Sequence, residues 1–133
     1  MRAVRRVGTR AELIVRAWLR DRGIAYRIAP GTLPGRPDLA NRRRGWALFV
    51  HGCFWHAHPG CRFATLPKRN RAFWHDKLST NRRRDAAKIA ALTALGLRVH
   101  VVWECEVRAL AKGGAVPAAL AALHRQAHGP GAS

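Results

Sequence analysis

Trp46-Ala47-Leu48-Phe49-Val50, followed at once by His51-Gly52-Cys53-Phe54-Trp55-His56-Ala57-His58-Pro59-Gly60-Cys61, is the stretch on which the fold of this chain turns. Its first half is a continuous apolar run bounded by turn residues. That pattern predicts a central strand buried on both faces. Its second half has no periodicity, and the stretch from His51 to Pro67 is dense in His, Cys, Gly and Pro. An irregular loop leaving the end of a central strand is where the chemistry is expected.

Upstream, Pro37-Asp38-Leu39-Ala40 begins a preceding strand, and Asn41 to Gly45 reads as a basic hairpin tip. Ala25 to Ala29 predicts a further short strand, separated by the turns Pro30-Gly31 and Leu33-Pro34-Gly35. Thr9-Arg10-Ala11-Glu12 is a capping-box pattern, and it opens an amphipathic helix that runs to about Arg22 and stops at Gly23. Downstream, Asn70 to Gly96 is mostly helical, with an expected break at Ser79-Thr80-Asn81 giving two helices. Leu97, Val99, Val101 and Trp103 alternate and predict a strand. Short helices follow around Val107 to Lys112 and from Pro117. The expectation is one mixed α/β domain over residues 1–128 with a frayed tail at 129–133.

A chain of 133 residues has room for one compact core. Its 25 Lys and Arg against seven Asp and Glu give a formal charge of +18, which favours a polyanionic partner. No apolar stretch is long enough to span a membrane, and the basic segment Met1 to Arg10 is not followed by a signal-peptide core. Three cysteines in such a chain argue for reduced thiols and a cytosolic location rather than a disulfide framework.

Cys53, His58, Cys61 and the distant Cys105 make a thiolate and imidazole set of the kind that closes around structural zinc. The bland alternative is three buried thiols beside surface histidines. Thiolates prefer zinc to magnesium, so a hydrolytic magnesium ion has to sit elsewhere. Asp38, at the start of a strand and just ahead of the central one, is the candidate carboxylate; a turn-initiating Asp is the competing reading. His51 and His56 are the histidines left to act as a base. The capping box alone accounts for Glu12.

Met1-Arg2-Ala3-Val4, Leu33-Pro34-Gly35-Arg36-Pro37-Asp38, Phe49-Val50-His51-Gly52-Cys53-Phe54-Trp55-His56, Phe73-Trp74 with Lys77 and Asn81, and Val101-Val102-Trp103-Glu104-Cys105 together resemble the very-short-patch repair (Vsr) endonucleases. Those enzymes nick DNA 5′ of the thymine in T:G mismatches left by deamination of 5-methylcytosine. The resemblance implies a restriction-endonuclease-like fold, with a central mixed β-sheet flanked by helices and a structural zinc site. It implies Asp38 and the backbone carbonyl of Val50 as magnesium ligands, His56 as general base, and His51 and Glu12 in support. It assigns Cys53, His58, Cys61 and Cys105 to zinc. It makes Met1, Phe54 and Trp55 wedges into the base stack, and puts Trp74, Lys77 and Asn81 on the DNA. The implied partner is duplex DNA carrying a T:G pair, met by a monomer at the bacterial nucleoid, with mismatch-repair proteins as further partners. Val50 replaces a threonine common in the family, and the zinc loop is one residue longer than in some members. In the family an arm precedes the segment that matches Met1; here that segment opens the sequence, so the expectation is either that the arm is absent or that the start lies further upstream. A non-catalytic zinc-stabilised DNA-binding module, and a nuclease of the same fold with another DNA target, are the alternatives.

Overall fold

The computed structural model describes residues 9–128, so Met1 and the 129–133 tail lie outside the described residues. Helix α1 spans Arg10–Asp21, strand β1 Arg27–Ile28, β2 Leu39–Asn41 and β3 Trp46–His51. Helix α2 (Arg71–Ala94), strand β4 (Arg98–Trp103), and helices α3 (Glu104–Ala111) and α4 (Ala118–His128) follow. The sheet order is β1-β2-β3-β4, antiparallel from β1 to β3 and parallel between β3 and β4.

The punctuation read from the sequence holds at α1. Thr9 Oγ1 accepts the Glu12 N–H at 3.2 Å. At the far end Gly23 (φ +69°) and Ile24 donate to the Arg20 and Leu19 carbonyls, a Schellman closure that only a residue at ease with positive φ completes cheaply. The capping box is only half formed, because the Glu12 carboxylate turns inward to pair with Arg16 and is 1% exposed.

β3 is the spine, and Trp46, Ala47 and Leu48 are fully buried. Strand alternation splits the core in two. Trp46 and Leu48 join Leu39, Val102 and side chains of α1, α3 and α4, among them Val15, Leu19, Val107, Leu120 and Leu123. Ala47 and Phe49 join Val99, Val101 and the C-terminal half of α2, through Ile89 and Leu92.

The predicted break at Ser79-Thr80-Asn81 is absent, and α2 is one helix of 24 residues. Local propensity is overridden by a single packed stripe. Leu78 and Leu92 are buried on it, with Asn81, Asp85 and Lys88 between them at helical spacing. Thr80 Oγ1 and the Asn81 amide bond outward, to Arg83 and to the Trp55 carbonyl, rather than competing for their own helix. A mixed sheet with α2 on one face and α1, α3 and α4 on the other is the restriction-endonuclease-like architecture. No helix among the described residues is long and apolar enough to cross a membrane.

Candidate active site and metal centre

The register of the parallel pair β3–β4 builds the metal centre. His51 faces Trp103 across that pair, and Cys53 and Cys105 each stand two residues further on. Parallel strands leaving the sheet in step therefore deliver two cysteines to one place. The Cys105 N–H reaches Cys53 Sγ at 3.4 Å. The loop then folds back: the His58 N–H bonds to the Cys53 carbonyl at 2.9 Å, and the Cys61 N–H to the His58 carbonyl at 3.3 Å. The ligating atoms of Cys53, His58, Cys61 and Cys105 all lie within 4.8 Å of one another.

Two observations make this a fit for a tetrahedral zinc ion. Zinc–sulfur bonds of about 2.3 Å and zinc–nitrogen bonds of about 2.0 Å put tetrahedral S and N ligands about 3.5 Å apart. Cys105 Sγ and His58 Nδ1 are separated by 3.6 Å. In addition, burial pushes the Cys53 thiol up to about 12 and also raises Cys105, with the Cys61 thiol adding to both. Crowded thiols of this kind need a cation before they become thiolates. The His58 ring is held in place by stacking on Trp103, with centroids 4.1 Å apart.

Beside this cluster, at the same end of β3, stands the second group. β2 runs antiparallel to β3, so its first residues lie where β3 ends, and Asp38 immediately precedes β2. Asp38 Oδ2 accepts the Val50 N–H at 2.6 Å. Burial pushes its carboxyl up to about 6 against the lowering effect of that hydrogen bond, and the charge of nearby Glu12 adds to the rise.

His56 enters from the loop and His51 from the end of β3. Their rings stack face to face, 3.8 Å apart and 3° from parallel. His51 is 5% exposed, with Trp103 edge-on at 5.1 Å and no hydrogen-bond partner at Nδ1. Burial, reinforced by the charge of His56, lowers its pKa to about 4. His56 Nδ1 meets Asp85 Oδ2 of α2 at 2.6 Å. Burial pushes the Asp85 carboxyl up, but the bond from His56 and the charges of His56, His51 and Lys88 outweigh it and hold it below its ordinary value. An ionised carboxylate only accepts, so Nδ1 carries a proton, and in the neutral ring the lone pair is the one on Nε2. The nitrogens of His51 and His56 and an Asp85 oxygen are close enough to hold a metal.

Asp85 was not singled out from the sequence. Its signal was weak: an acid among Arg82, Arg83 and Arg84, four residues after Asn81. Asn81 itself, expected on the DNA, spends its amide on the Trp55 carbonyl at 3.0 Å. Lys77 is exposed. Phe54 and Trp55 are half-buried, packed edge-to-face on each other and on Trp74, with centroids 5.2 to 5.8 Å apart.

Residues 1–62 match the family model described as DNA mismatch endonuclease Vsr. A type II nicking enzyme of Xanthomonas oryzae pv. oryzae is 49% identical over 107 residues, covering 80% of this chain and 78% of the relative. The DNA mismatch endonuclease Vsr of Escherichia coli K12 is 39% identical over 108 residues, covering 81% and 69%. A type II nicking enzyme of Lentzea aerocolonigenes is 36% identical over 135 residues, covering 97% and 77%.

Proposed function

The chain belongs to the Vsr family of nicking endonucleases, and from that premise we infer that it nicks one strand of duplex DNA 5′ of the thymine in a T:G mismatch. The observation that carries the reading is the meeting of Asp38 and the His56–Asp85 pair at one end of the sheet, beside a loop clipped by four soft ligands. A non-catalytic module has no use for a carboxylate kept near pH 6 beside a histidine oriented by an aspartate.

Asp38 and the Val50 carbonyl would hold magnesium. In an extended strand the N–H and C=O of one residue project to the same edge. The Val50 carbonyl therefore faces the Asp38 side, and valine serves there as well as threonine. When bound, the ion supplies a Lewis acid for the phosphate and acidity for the attacking water. His56 Nε2 takes the proton of that water, and Asp85 keeps the tautomer fixed and steadies the imidazolium that results. His51, held neutral, lies flat against His56 and adds no opposing charge. Glu12, buried and paired with Arg16, lies near enough to Asp38 to raise its pKa and completes the wall of the site.

Phe54 and Trp55 form the wedge. Their packing on Trp74, and the Asn81 bond behind Trp55, brace them for entry into a stack that a mismatch has already weakened. Lys77, exposed on the same helix, reaches the bases or backbone. The positive chain meets the phosphates through its arginines.

The test uses duplexes with one T:G pair or none, incubated with magnesium, and Asp38→Asn as control. Nicking of the T strand of the mismatched duplex alone, lost by at least about 1000-fold in the variant, is the expected result. Equal cutting of both duplexes removes the mismatch specificity. Binding without cutting replaces the enzyme with a DNA-binding module.

A further inference from the structure

Helix α2 sends a row of three polar side chains to the site, Asn81, Asp85 and Lys88, at i, i+4 and i+7. The first holds the Trp55 carbonyl and the second holds His56. Lys88 lies about one turn further along α2 and is half-buried. It makes no ion pair among the described residues.

Its stem is fixed by an unusually close approach. Gly35, at φ +73°, lies so tightly on α2 that a Cβ there would stand 2.7 Å from Lys88 Cβ and 2.8 Å from Lys88 Cγ. Gly35 is three residues before Asp38, so the loop that positions the carboxylate is seated on the lysine stem. The ammonium is within electrostatic reach of Asp38, Asp85 and His51. The other charged or titratable groups at the site are Glu12, already paired with Arg16, and His56. A cation held among carboxylates it does not pair with keeps its three N–H donors for something else. In a site that must receive a phosphodiester, that is a phosphate oxygen.

We propose that Lys88 is a phosphate ligand of the nicking reaction. Its ammonium grips a non-bridging oxygen of the scissile phosphodiester and offsets the charge that builds there as water adds and the P–O bond to the leaving sugar oxygen breaks. The proposal rests on the nicking reading and adds to it a cation supplied by α2.

Lys88→Gln is the variant to make, because it keeps the Cβ and Cγ on which Gly35 sits; Lys88→Arg is its partner. Single-turnover nicking, duplex affinity and binding of Mn2+ to the DNA-free protein are measured together. The expected result is nicking slowed about 100-fold in Lys88→Gln, with duplex affinity changed less than about threefold. Lys88→Arg recovers part of the rate. Mn2+ binds Lys88→Gln more tightly, since a competing charge near Asp38 is gone. An unchanged nicking rate overturns the proposal, as does a loss confined to duplex affinity, the mark of an ordinary backbone contact. Slower nicking with unchanged Mn2+ affinity also overturns it, since that is what a purely structural lysine would give. A wild-type protein that nicks neither duplex sinks the nicking reading and this proposal together; a nicking wild type beside an indifferent Lys88→Gln sinks this proposal alone.

Discussion

Two clusters sit side by side at the end of β3, and they are built on opposite principles. Cys53, His58, Cys61 and Cys105 are four soft ligands pulled to one point, with no position left over. Asp38, His51, His56 and Asp85 are hard or neutral groups: the Val50 N–H holds Asp38, His56 and Asp85 hold each other, and His51 stacks on His56. The first group is satisfied once a cation fills it, and would then stabilise. The second is kept incompletely satisfied: a carboxylate is raised to about 6 and a buried imidazole has an unpartnered nitrogen. On the proposed reading, groups held in this way do the chemistry at some cost to the fold. They share the 53–61 loop: Cys53, His58 and Cys61 belong to the first cluster, and His56, between them, belongs to the second.

The sharpest test of that division removes the first cluster. Cys105→Ser, or a strong chelator, is expected to abolish cooperative folding of the loop and lower the melting temperature by well over about 10 °C, since structural zinc contributes on the order of 10 kcal/mol. His56→Ala should leave melting nearly unchanged. Equal melting in all three would erase the distinction between a structural and a chemical cluster.

Asp85→Asn comes next. The carboxamide no longer dictates the His56 tautomer, so the nicking rate is expected to fall about 100-fold with duplex affinity retained. A loss below about threefold would return the base role to His51.

The acid limb follows from Asp38. A divalent ion must displace the proton from a carboxyl that titrates at about 6. The magnesium needed for half-maximal nicking should therefore rise about tenfold per pH unit below that value. Stability runs the other way in the metal-free protein. With the folded pKa above the unfolded one, the Asp38 contribution is full below about pH 4 and lost as the pH rises through about 6. His51, lowered to about 4, contributes fully above about 6.5 and loses its contribution as the pH falls through 4. Asp38→Asn should accordingly melt higher than wild type at pH 8 and no higher at pH 4.

The smallest expected effect is that of Asn81→Ala. Losing its bond to Trp55 removes about 1 kcal/mol of support from the wedge. It should weaken the preference for a T:G duplex severalfold, measured as the ratio of rates on mismatched and matched DNA, and leave the zinc-dependent melting alone.

Local pattern was enough for much of this molecule. Thr9 and Gly23 bracket α1, Trp46 to Val50 is the buried spine, and the alternation after Leu97 is β4, because caps, periods and apolar runs act within a few residues. The dense loop also offered three candidate metal ligands, Cys53, His58 and Cys61, since few other roles bring thiols and imidazoles so close in sequence. Three matters were decided only by the tertiary structure. The β3–β4 register, pairing His51 with Trp103, is what brings Cys105 to Cys53 across 52 positions. Packing of one stripe onto the sheet carried α2 straight through Ser79-Thr80-Asn81, where propensity alone suggested a stop. That unbroken helix then set Asp85 against His56, 29 residues away in sequence, and Lys88 under Gly35. Hydrogen bonds and Coulomb forces act over a few ångströms of space, whereas sequence pattern records only neighbours along the chain; a partner delivered by a different element acquires its meaning when the core closes.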